Sequence, residues 1–404
     1  MSPINARFWR VLSAMSPINA GLSRLSFSTQ NDGEIQPVDD PGLTKRKKNK
    51  RVKSTKSGKS VAVCSGPCKT ESAVPPEHGR AVKDIRLQSR PVAPSRVKFP
   101  HLSEMPRYTT KLIDIGVNLL GYGTSAFPDF TSVVDQAADS GVSDIVIIGS
   151  TIPVSKQAQI LVDSWPNSGP EEITGAAAAP ARCSLHFMAG CHPCRASDFA
   201  PDGGRQALRD VIMAARQQPC IAIGECGLDY KDLSSAADVQ REVFREHLEL
   251  AVELQKPLFL HERGAHTDFV DLLSPYIPRL PSAESACIHC FTGNWEQLQT
   301  YLDLGCSIGI TGWIAGSRKS SLIAALRTAG WERLRDRLMI ESDAPALLPK
   351  YIMPKKAESQ DEKNVPANLP YVCCALAWIL GVDGEEVAKA TTDNARRIFL
   401  QQTQ

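Results

Sequence analysis

Eight short, nearly continuous apolar runs divide the chain after Lys111, and segments with room for a helix separate them. Strands that are apolar on both faces are typical of a parallel sheet covered by helices. Eight strand–helix units in about 290 residues have the number and spacing typical of an α/β fold, the (β/α)8 TIM-like barrel. The runs are KLIDIGVNL, SDIVIIGS, LHFMAGCHP, CIAIGECGLD, PLFLHERG, ACIHCFTG, CSIGITGW and RLMIESDAP, beginning at residues 111, 143, 185, 220, 257, 286, 306 and 337.

A doubly wound open sheet is the competing fold, but it would more often place a glycine-rich phosphate turn after its first strand. The stretch DIGVNLLGYG is not such a turn. Apolar spacing predicts helices over 237–255 and 294–305, and Pro275 interrupts the segment after strand five. Residues 165–183, rich in Pro, Gly and Ala, are predicted to be a surface insertion without chemistry. A polar loop and two terminal helices are expected after strand eight.

The chain divides into two electrostatically different parts. Residues 1–107 carry 20 Lys and Arg against 8 Asp and Glu, a net charge of +12, whereas residues 108–404 sum to −10. The first part is rich in Lys, Ser, Pro and Gly and poor in aromatic residues, which predicts a long disordered basic extension. The barrel domain is predicted to occupy 108–404.

Three features bear on where the protein acts. Residues 1–31 contain no Asp or Glu, which is typical of a targeting peptide, whereas KRKKNKRVK at 45–53 suits a nuclear signal, a nucleic-acid-binding patch or a solvated charge run. The twelve cysteines do not form a disulfide scaffold, which indicates a reducing compartment. The sequence contains no run of 18 apolar residues, so no membrane span is predicted. We therefore expect an intracellular protein without a membrane partner, mitochondrial or nuclear from its extension and cytoplasmic by default.

Polar side chains stand at the carboxyl ends of the predicted strands, where barrels of this class carry their chemistry. A carboxylate that leaves a buried strand is costly unless a cation or a hydrogen-bond donor meets it. One histidine at such a place is more readily structural, but a set spread over several strands is hard to explain by coincidence. The set is Asp114 and Asn118 on strand one, His192 on strand three, Glu225 and Asp229 on strand four, His261 and Arg263 on strand five, His289 and Thr292 on strand six, and Asp343 on strand eight.

Imidazole and carboxylate groups together are typical ligands of Zn²⁺, Mn²⁺, Fe²⁺ or Co²⁺, and carboxylate-rich sites also hold Mg²⁺. Such an ion would polarise a phosphoryl or carbonyl oxygen and activate water for attack near neutral pH. Glu225 could bridge two ions about 3.5–4 Å apart. Residues 191–194 read Cys-His-Pro-Cys and also fit a redox spacing, which we disfavour because such pairs usually open a helix in a smaller domain.

Eight stretches follow one another in order from Tyr108 onwards: DIGVNL, GCHP, IGECGLDY, LHERGAH, IHCFTG, IGITGWI, IESDAPALLP and TTDNARRIF. In sequence and order they resemble the TatD family of metal-dependent deoxyribonucleases, within the amidohydrolase-like barrel superfamily. The resemblance implies a DNase that hydrolyses phosphodiester bonds with metal-activated water. It further implies a 3′–5′ exonuclease acting on single-stranded DNA or 3′ ends, with one or two Mg²⁺ or Mn²⁺ ions and Zn²⁺ as an alternative.

The resemblance also implies a role for each site residue. Glu225 and Asp343 would be catalytic, and Asp343 could take a proton from the attacking water. The implied metal ligands are Glu225, His261, His289 and Asp343, with His192 as a further contact to metal or phosphate. The groups implied to hold substrate phosphate are Arg263, Thr292 and Asn118.

Three positions depart from the family pattern. Many relatives carry His-x-His at the end of strand one, where this chain has Gly116 and Asn118, as does the subgroup resembling bacterial TatD. One metal position is therefore expected to be weaker. The subgroup's His-Pro-His reads His-Pro-Cys here, with Cys194, and its Arg-Asn-Glu-Pro loop reads Lys-Asn-Val-Pro at 363–366.

Two other functions fit the same residues. The first is a metal-dependent ester or amide hydrolase, acting for example on a small cyclic amide or as an aminoacyl-tRNA deacylase. The second is an inactive barrel that serves as a binding module for DNA or protein. The intact set of Glu225, His261, His289 and Asp343 argues against a decayed site.

Overall fold

The computed structural model describes residues 99, 102–121, 126–166, 182–214, 219–316, 321–354 and 363–401. The predicted targeting peptide, the basic tract and most of the predicted insertion lie outside these residues. The folded part includes Phe99, whose ring lies 5.4 Å from that of Trp378, centroid to centroid. It also includes Leu102, whose backbone N–H donates to the carbonyl of Ile352 at 3.3 Å. Residues just before the predicted domain boundary therefore already pack on the barrel domain.

Eight parallel strands form one sheet in sequence order, each paired with the next. The backbone N–H of Asp343 donates to Gly116 O at 3.0 Å, and that of Asn118 donates to Ala344 O at 2.9 Å, so segments at the ends of β8 and β1 are joined. The predicted barrel is confirmed, and the open doubly wound sheet is excluded because the strand order never reverses. The strands are β1 Leu112–Val117, β2 Val142–Ile147, β3 Ser184–Ala189, β4 Ala222–Asp229, β5 Leu258–Arg263, β6 Ala286–Ile288, β7 Ser307–Ile310 and β8 Leu338–Ile340.

Helices alternate with the strands and cover the barrel. The helix predicted after strand six begins after Asn294, whose side chain and backbone form a reciprocal capping box with Gln297. The helix after strand five ends at Leu273, two residues before Pro275, as expected. Within the described residues the helices are α1 Phe130–Asp139, α2 Ile152–Ser164, α3 Ala196–Phe199, α4 Gly204–Ala214, α5 Ala237–Leu254, α6 His266–Leu273, α7 Trp295–Asp303, α8 Ser321–Ala329, α9 Trp331–Leu334, α10 Leu369–Leu380 and α11 Gly384–Ala395.

The last turn of the chain closes one end of the barrel. A single π-helical turn, Arg396–Leu400, follows α11 and carries Ile398 and Phe399 into the core between the strands. The ring of Phe399 lies 6.4 Å from that of Phe259 on β5, centroid to centroid. Full burial of one such aromatic side chain contributes about 1.5–3 kcal/mol. The end of the barrel at the amino termini of its strands is thus filled with apolar side chains. The opposite end, at the carboxyl termini of the strands, is left for polar chemistry.

None of the helices in the described ranges is by itself long and apolar enough to cross a membrane. By length and composition alone, one bent pair of helical segments could do so. The pair is Pro366–Leu380 with Gly384–Leu400, which meet at an angle of 114°.

Candidate metal centre

Glu225 lies within β4 at the carboxyl end of the barrel, and two glycines set its backbone. Gly224 and Gly227 have φ of +154° and +145°, which side-chain-bearing residues rarely adopt. A β-carbon on Gly224 would meet the carbonyl oxygen of Phe259 at 2.4 Å, and one on Gly227 would meet that of His261 at 2.0 Å. The stretch GECG therefore lets β4 approach β5 closely, and Glu225 is left only 3% exposed between them.

Three histidines surround one oxygen of this carboxylate. Oε1 of Glu225 lies 2.9 Å from Nδ1 of His261 and 2.9 Å from Nε2 of His289. Nε2 of His192 is 3.4 Å from the same oxygen. Burial opposes ionisation of Glu225, but His192 and His289 outweigh it and hold the carboxyl pKa well below its ordinary value. Residues from β4, β5 and the loops after β3 and β6 thus converge, as the sequence predicts.

Asp229 holds the far side of the His261 ring. Its Oδ2 is 3.2 Å from His261 Nε2, so the ring nitrogen facing Glu225 is the one left to serve as a ligand. Burial opposes ionisation of Asp229 as well, yet His261 and the backbone N–H groups of Lys231 and Asp232 lower its pKa to about 2. Arg263, whose side chain is 61% exposed, places Nη1 3.6 Å from the same Oδ2. A cationic group therefore stands at the rim beside the histidine cluster.

Glu341 plays the same part for His289, and the sequence analysis missed it. Its Oε2 is 3.4 Å from His289 Nδ1, and its Oε1 accepts the backbone N–H of Cys290 at 2.6 Å. The side chain is fully buried in a socket between two glycines. A β-carbon on Gly116 would lie 2.5 Å from Oε2, and one on Gly309 would lie 2.6 Å from Oε1. The available signal was a second carboxylate at the end of strand eight, two residues before Asp343.

Asp343 lies in the β8 loop with φ of +50° and pairs with Asn118 rather than with a histidine. Nδ2 of Asn118 donates to Asp343 Oδ1 at 2.9 Å. Burial, together with the charges of Glu225 and Glu341, raises the pKa of Asp343 to about 8, although His289 opposes the shift. The Asp343 side chain is therefore close enough to Glu225 and His289 for their charges to shift its pKa. Asn118, predicted to bind substrate phosphate, lies where it orients Asp343.

Asp114 lies within β1, not at the strand end where the sequence analysis placed it, and it fixes the loop that carries Asp343. Its Oδ1 accepts the backbone N–H of Ser342 at 2.9 Å. Burial raises the pKa of Asp114 to about 7, although hydrogen bonds from Ser342 and Gly116 oppose the shift. These contacts tie β1 to the β8 loop.

His192 is oriented by its own loop. The backbone N–H of Cys194 donates to His192 Nδ1 at 3.1 Å, so the neutral ring carries its proton on Nε2, the nitrogen that faces Glu225. Burial lowers the pKa of this imidazole to about 4, which keeps the ring neutral. In this state His192 donates a hydrogen bond to an oxygen. It matches the predicted contact to phosphate more directly than a metal ligand.

The remaining residues singled out in the sequence lie nearby in less specific settings. Thr292 is half-buried in the loop after β6. Cys191 and Cys194 are free thiols, and Cys191 Sγ contacts the carbonyl of Arg195 at 3.3 Å. Burial raises the pKa of both thiols to about 12, which is opposite to what redox-active cysteines require.

The donor set fits a divalent cation. A ring nitrogen of His192, a carboxylate oxygen of Glu225 and a ring nitrogen of His261 lie within 4.8 Å of one another, although His192 can serve as a ligand only if it gives up the tautomer described above. Burial lowers the pKa of His261 and His289, but the surrounding carboxylates outweigh it and raise both, so the site favours added positive charge. Oδ1 of Asn118 is moreover a buried acceptor without a partner among the described residues. Imidazole and carboxylate groups in this mixture suit Zn²⁺ or Mn²⁺, and carboxylates tolerate Mg²⁺.

The sequence model of the TatD related DNase family matches residues 113–400, which covers the whole barrel. The chain belongs to the TatD related DNase family. TatD proteins named 3′-5′ ssDNA/RNA exonuclease are similar to it in sequence. That of Citrobacter rodentium is 35% identical over 288 residues, 71% of this chain and 97% of the relative, and that of Pectobacterium parmentieri is 37% identical over 289 residues, 71% and 99%.

Solved structures of TatD-family proteins share the fold. The TatD homologue YJJV of Escherichia coli superposes with a TM-score of 0.58 at 22% identity, over 71% of this chain and 97% of that protein. A TatD family hydrolase of Entamoeba histolytica gives 0.59 at 22%, over 72% and 99%. The resemblance to the TatD family is thus confirmed. The glycine at position 116 also has a physical explanation in this chain, because Glu341 and Phe259 fill the space beside it.

Proposed function

We propose that this TatD-family chain is a metal-dependent exonuclease that removes nucleotides from the 3′ end of single-stranded nucleic acid. The observation that carries the proposal is the convergence of three histidines on Glu225 at the open end of the barrel. The TatD relatives, named as exonucleases on ssDNA and RNA, support this substrate class. We propose Mg²⁺ or Mn²⁺ as the ion, held by Glu225, His261, His289 and Asp343.

The chain's own groups divide the work in this proposal. Bound metal would supply Lewis-acid polarisation of the scissile phosphate and a water of lowered pKa. Arg263 at the rim would hold a phosphate oxygen, and the Nε2–H of His192 would donate to a second. Asp343, which Asn118 orients by a hydrogen bond of 2.9 Å, would accept a proton from the attacking water only while a bound cation keeps it ionised, because burial alone raises its pKa to about 8.

The charge distribution supports a strand end rather than a duplex as substrate. The barrel domain carries −10, and tight duplex binding rests on neutralising many phosphates. A single end that enters a small cationic site needs only a few such contacts. We further propose that the extension at 1–107 supplies non-specific attraction to nucleic acid through its charge of +12, and that it directs the protein within the cell.

A degradation assay tests the proposal. Single-stranded oligonucleotides labelled at either the 5′ or the 3′ end are incubated with the full chain and Mg²⁺, Mn²⁺ or EDTA. We expect a ladder that shortens from the 3′ end, no ladder with EDTA, and at least about a thousandfold loss for Glu225→Gln. Glu262→Gln, on the same rim but without a histidine partner, is the matched control.

Two outcomes would point elsewhere. Hydrolysis of an ester, a cyclic amide or a misacylated tRNA without degradation of any oligonucleotide would favour the ester or amide hydrolase. Oligonucleotide binding that is unchanged by EDTA and by Glu225→Gln, without any hydrolysis, would favour a binding module.

A further inference from the structure

Three exposed large apolar side chains follow strands of the barrel on the rim that carries the candidate metal centre. Within the described residues five such side chains are markedly exposed, and two of these, Met213 and Trp378, lie on helices. The other three follow strand ends on the same rim as Glu225. They are Leu233 after β4, Trp313 after β7 and Tyr351 after β8, exposed by 59%, 45% and 43%. Single exposed apolar residues are ordinary, but a cluster around a polar site indicates a binding surface.

Trp313 is held close to the centre by its loop. Thr311, which follows β7 directly, accepts the backbone N–H of Trp313 on its hydroxyl at 3.3 Å. The same hydroxyl lies 3.5 Å from the thiol of Cys290, the residue after His289. Thr311 thus links the short helical turn that carries Trp313 to the loop that carries a predicted metal ligand.

The β8 loop supports this turn from the other side. A β-carbon on Gly312 would lie 1.9 Å from the carbonyl oxygen of Leu347 and 3.1 Å from the nitrogen of Pro349. This contact joins the turn of Trp313 to the loop that runs from Asp343 to Tyr351. Backbone packing therefore fixes the two aromatic residues on adjacent loops.

Trp313 also differs from the other exposed tryptophan. The ring of Trp378 is flanked by Phe99 at 5.4 Å and by the guanidinium of Arg327 at 5.6 Å. In the part of the chain that the structure describes, the ring of Trp313 has no such aromatic or cationic neighbour. A rigidly supported indole with a free face is a stacking surface for a flat ring.

We propose that Trp313 is a base-stacking residue for the terminal nucleotides of the single-stranded substrate, with Tyr351 beside it. The inference rests on the proposed function and adds the residue that recognises the single-stranded nucleic acid. Arg263 stands on β5, two strands from β7, which is about 10 Å along the sheet. A phosphate at Arg263 and a base on Trp313 can therefore belong to the same short stretch of one strand. Stacking needs an unpaired base, so this surface selects single strands, and it is tolerant of sequence.

The test combines two substitutions with a modified substrate, using the full chain and Mn²⁺. Trp313→Ala should raise KM for a single-stranded oligonucleotide about 5- to 150-fold, the range expected for one lost stack, with kcat within about twofold. Trp313→Phe should recover most of the affinity. Met213→Ala removes an even more exposed apolar side chain, on helix α4, and should change neither constant.

The decisive readout is an oligonucleotide series with one abasic residue placed in turn at each of the last positions. At the stacked position, removal of the base should raise KM of the wild-type protein by a factor close to that caused by Trp313→Ala. The same removal should leave KM of the Trp313→Ala variant almost unchanged. An unchanged KM for Trp313→Ala, or equal losses with and without the base, would overturn the inference while leaving the exonuclease proposal intact.

Failure of the proposed function would look different, because wild type would then degrade neither substrate. The stacking inference would still be decided by the binding of a labelled oligonucleotide in EDTA, measured by fluorescence anisotropy. Weaker binding by Trp313→Ala that depends on the base supports the inference. Equal binding by Trp313→Ala and wild type refutes it.

Discussion

Replacing Glu341 by glutamine tests whether a buried residue outside the predicted ligand set controls metal affinity. The amide has the same volume, so the socket formed by Gly116 and Gly309 stays filled. Its Oε1 can still accept the N–H of Cys290, which the carboxylate accepts at 2.6 Å. Its Nε2 then takes the place of the oxygen that lies 3.4 Å from His289 Nδ1. The opposite amide orientation would set a donor against the N–H of Cys290.

A histidine must be neutral to bind a cation, and in that neutral state this change reverses the tautomer that His289 adopts. Facing a donor, Nδ1 must accept, so the neutral ring carries its proton on Nε2, the nitrogen 2.9 Å from Glu225 Oε1. That nitrogen no longer offers a lone pair to a cation. Loss of such an outer partner typically weakens metal binding 10–100-fold, or about 1.4–2.7 kcal/mol. We expect a loss in this range for Glu341→Gln.

Mn²⁺ titration by calorimetry measures the affinity, and nitrogen NMR of the imidazoles reports the tautomer. Glu262→Gln is the matched control, because Glu262 accepts from the backbone N–H of Ala265 at 2.8 Å and the hydroxyl of Tyr301 at 3.1 Å. The histidine next to that hydroxyl is His266, at 3.0 Å, which is not one of the three around Glu225. Urea unfolding of both variants excludes a general loss of stability. If Glu341→Gln binds Mn²⁺ as tightly as wild type, the reasoning fails.

Three further predictions concern stability and substrate attraction. Gly116→Ala should lower the free energy of unfolding in urea by about 1–3 kcal/mol, because its methyl group would lie 2.5 Å from Glu341 Oε2. Burial lowers the pKa of His247 from 6.5 to about 4, so the unfolded state alone takes a proton as pH falls through 6.5. Stability should drop by up to about 3 kcal/mol between pH 6.5 and 4, and His247→Leu should remove that part of the drop. Deleting residues 1–98, which spares Phe99 and Leu102 on the barrel, should flatten the salt dependence of DNA binding, and an unchanged slope would contradict the role proposed for the extension.

Strand identity and the position of the site follow from local pattern. Each of the eight apolar runs is a strand in the structure, because a strand buried on both faces must be apolar along its length. In a parallel barrel the carboxyl ends of all strands meet at one rim, so residues as far apart as His192 and His289 were expected together. They do meet, around Glu225.

The parts that the sequence did not reveal depend on contacts between distant strands. The socket of Glu341 joins glycines of β1 and β7 to a side chain that follows β8, and no single stretch carries that information. Asn118 pairs with Asp343 across 225 residues, which adds the orienting of a carboxylate to its predicted contact with substrate. The protonated nitrogen of His192 is likewise set by a backbone N–H two residues on. Spacing along the chain places candidate ligands on one rim, whereas the partners that orient each of them depend on the folded structure.

The closing turn at Arg396–Leu400 has a consequence for biosynthesis. Ile113 on the first strand shares its cluster with Phe399, which is made only after all eight strands. The barrel floor therefore cannot be completed until Phe399 has left the ribosome, and until then the nascent chain carries an open apolar lumen. A chain interrupted just before this turn would keep every strand, yet would be prone to aggregation and a natural client for chaperones.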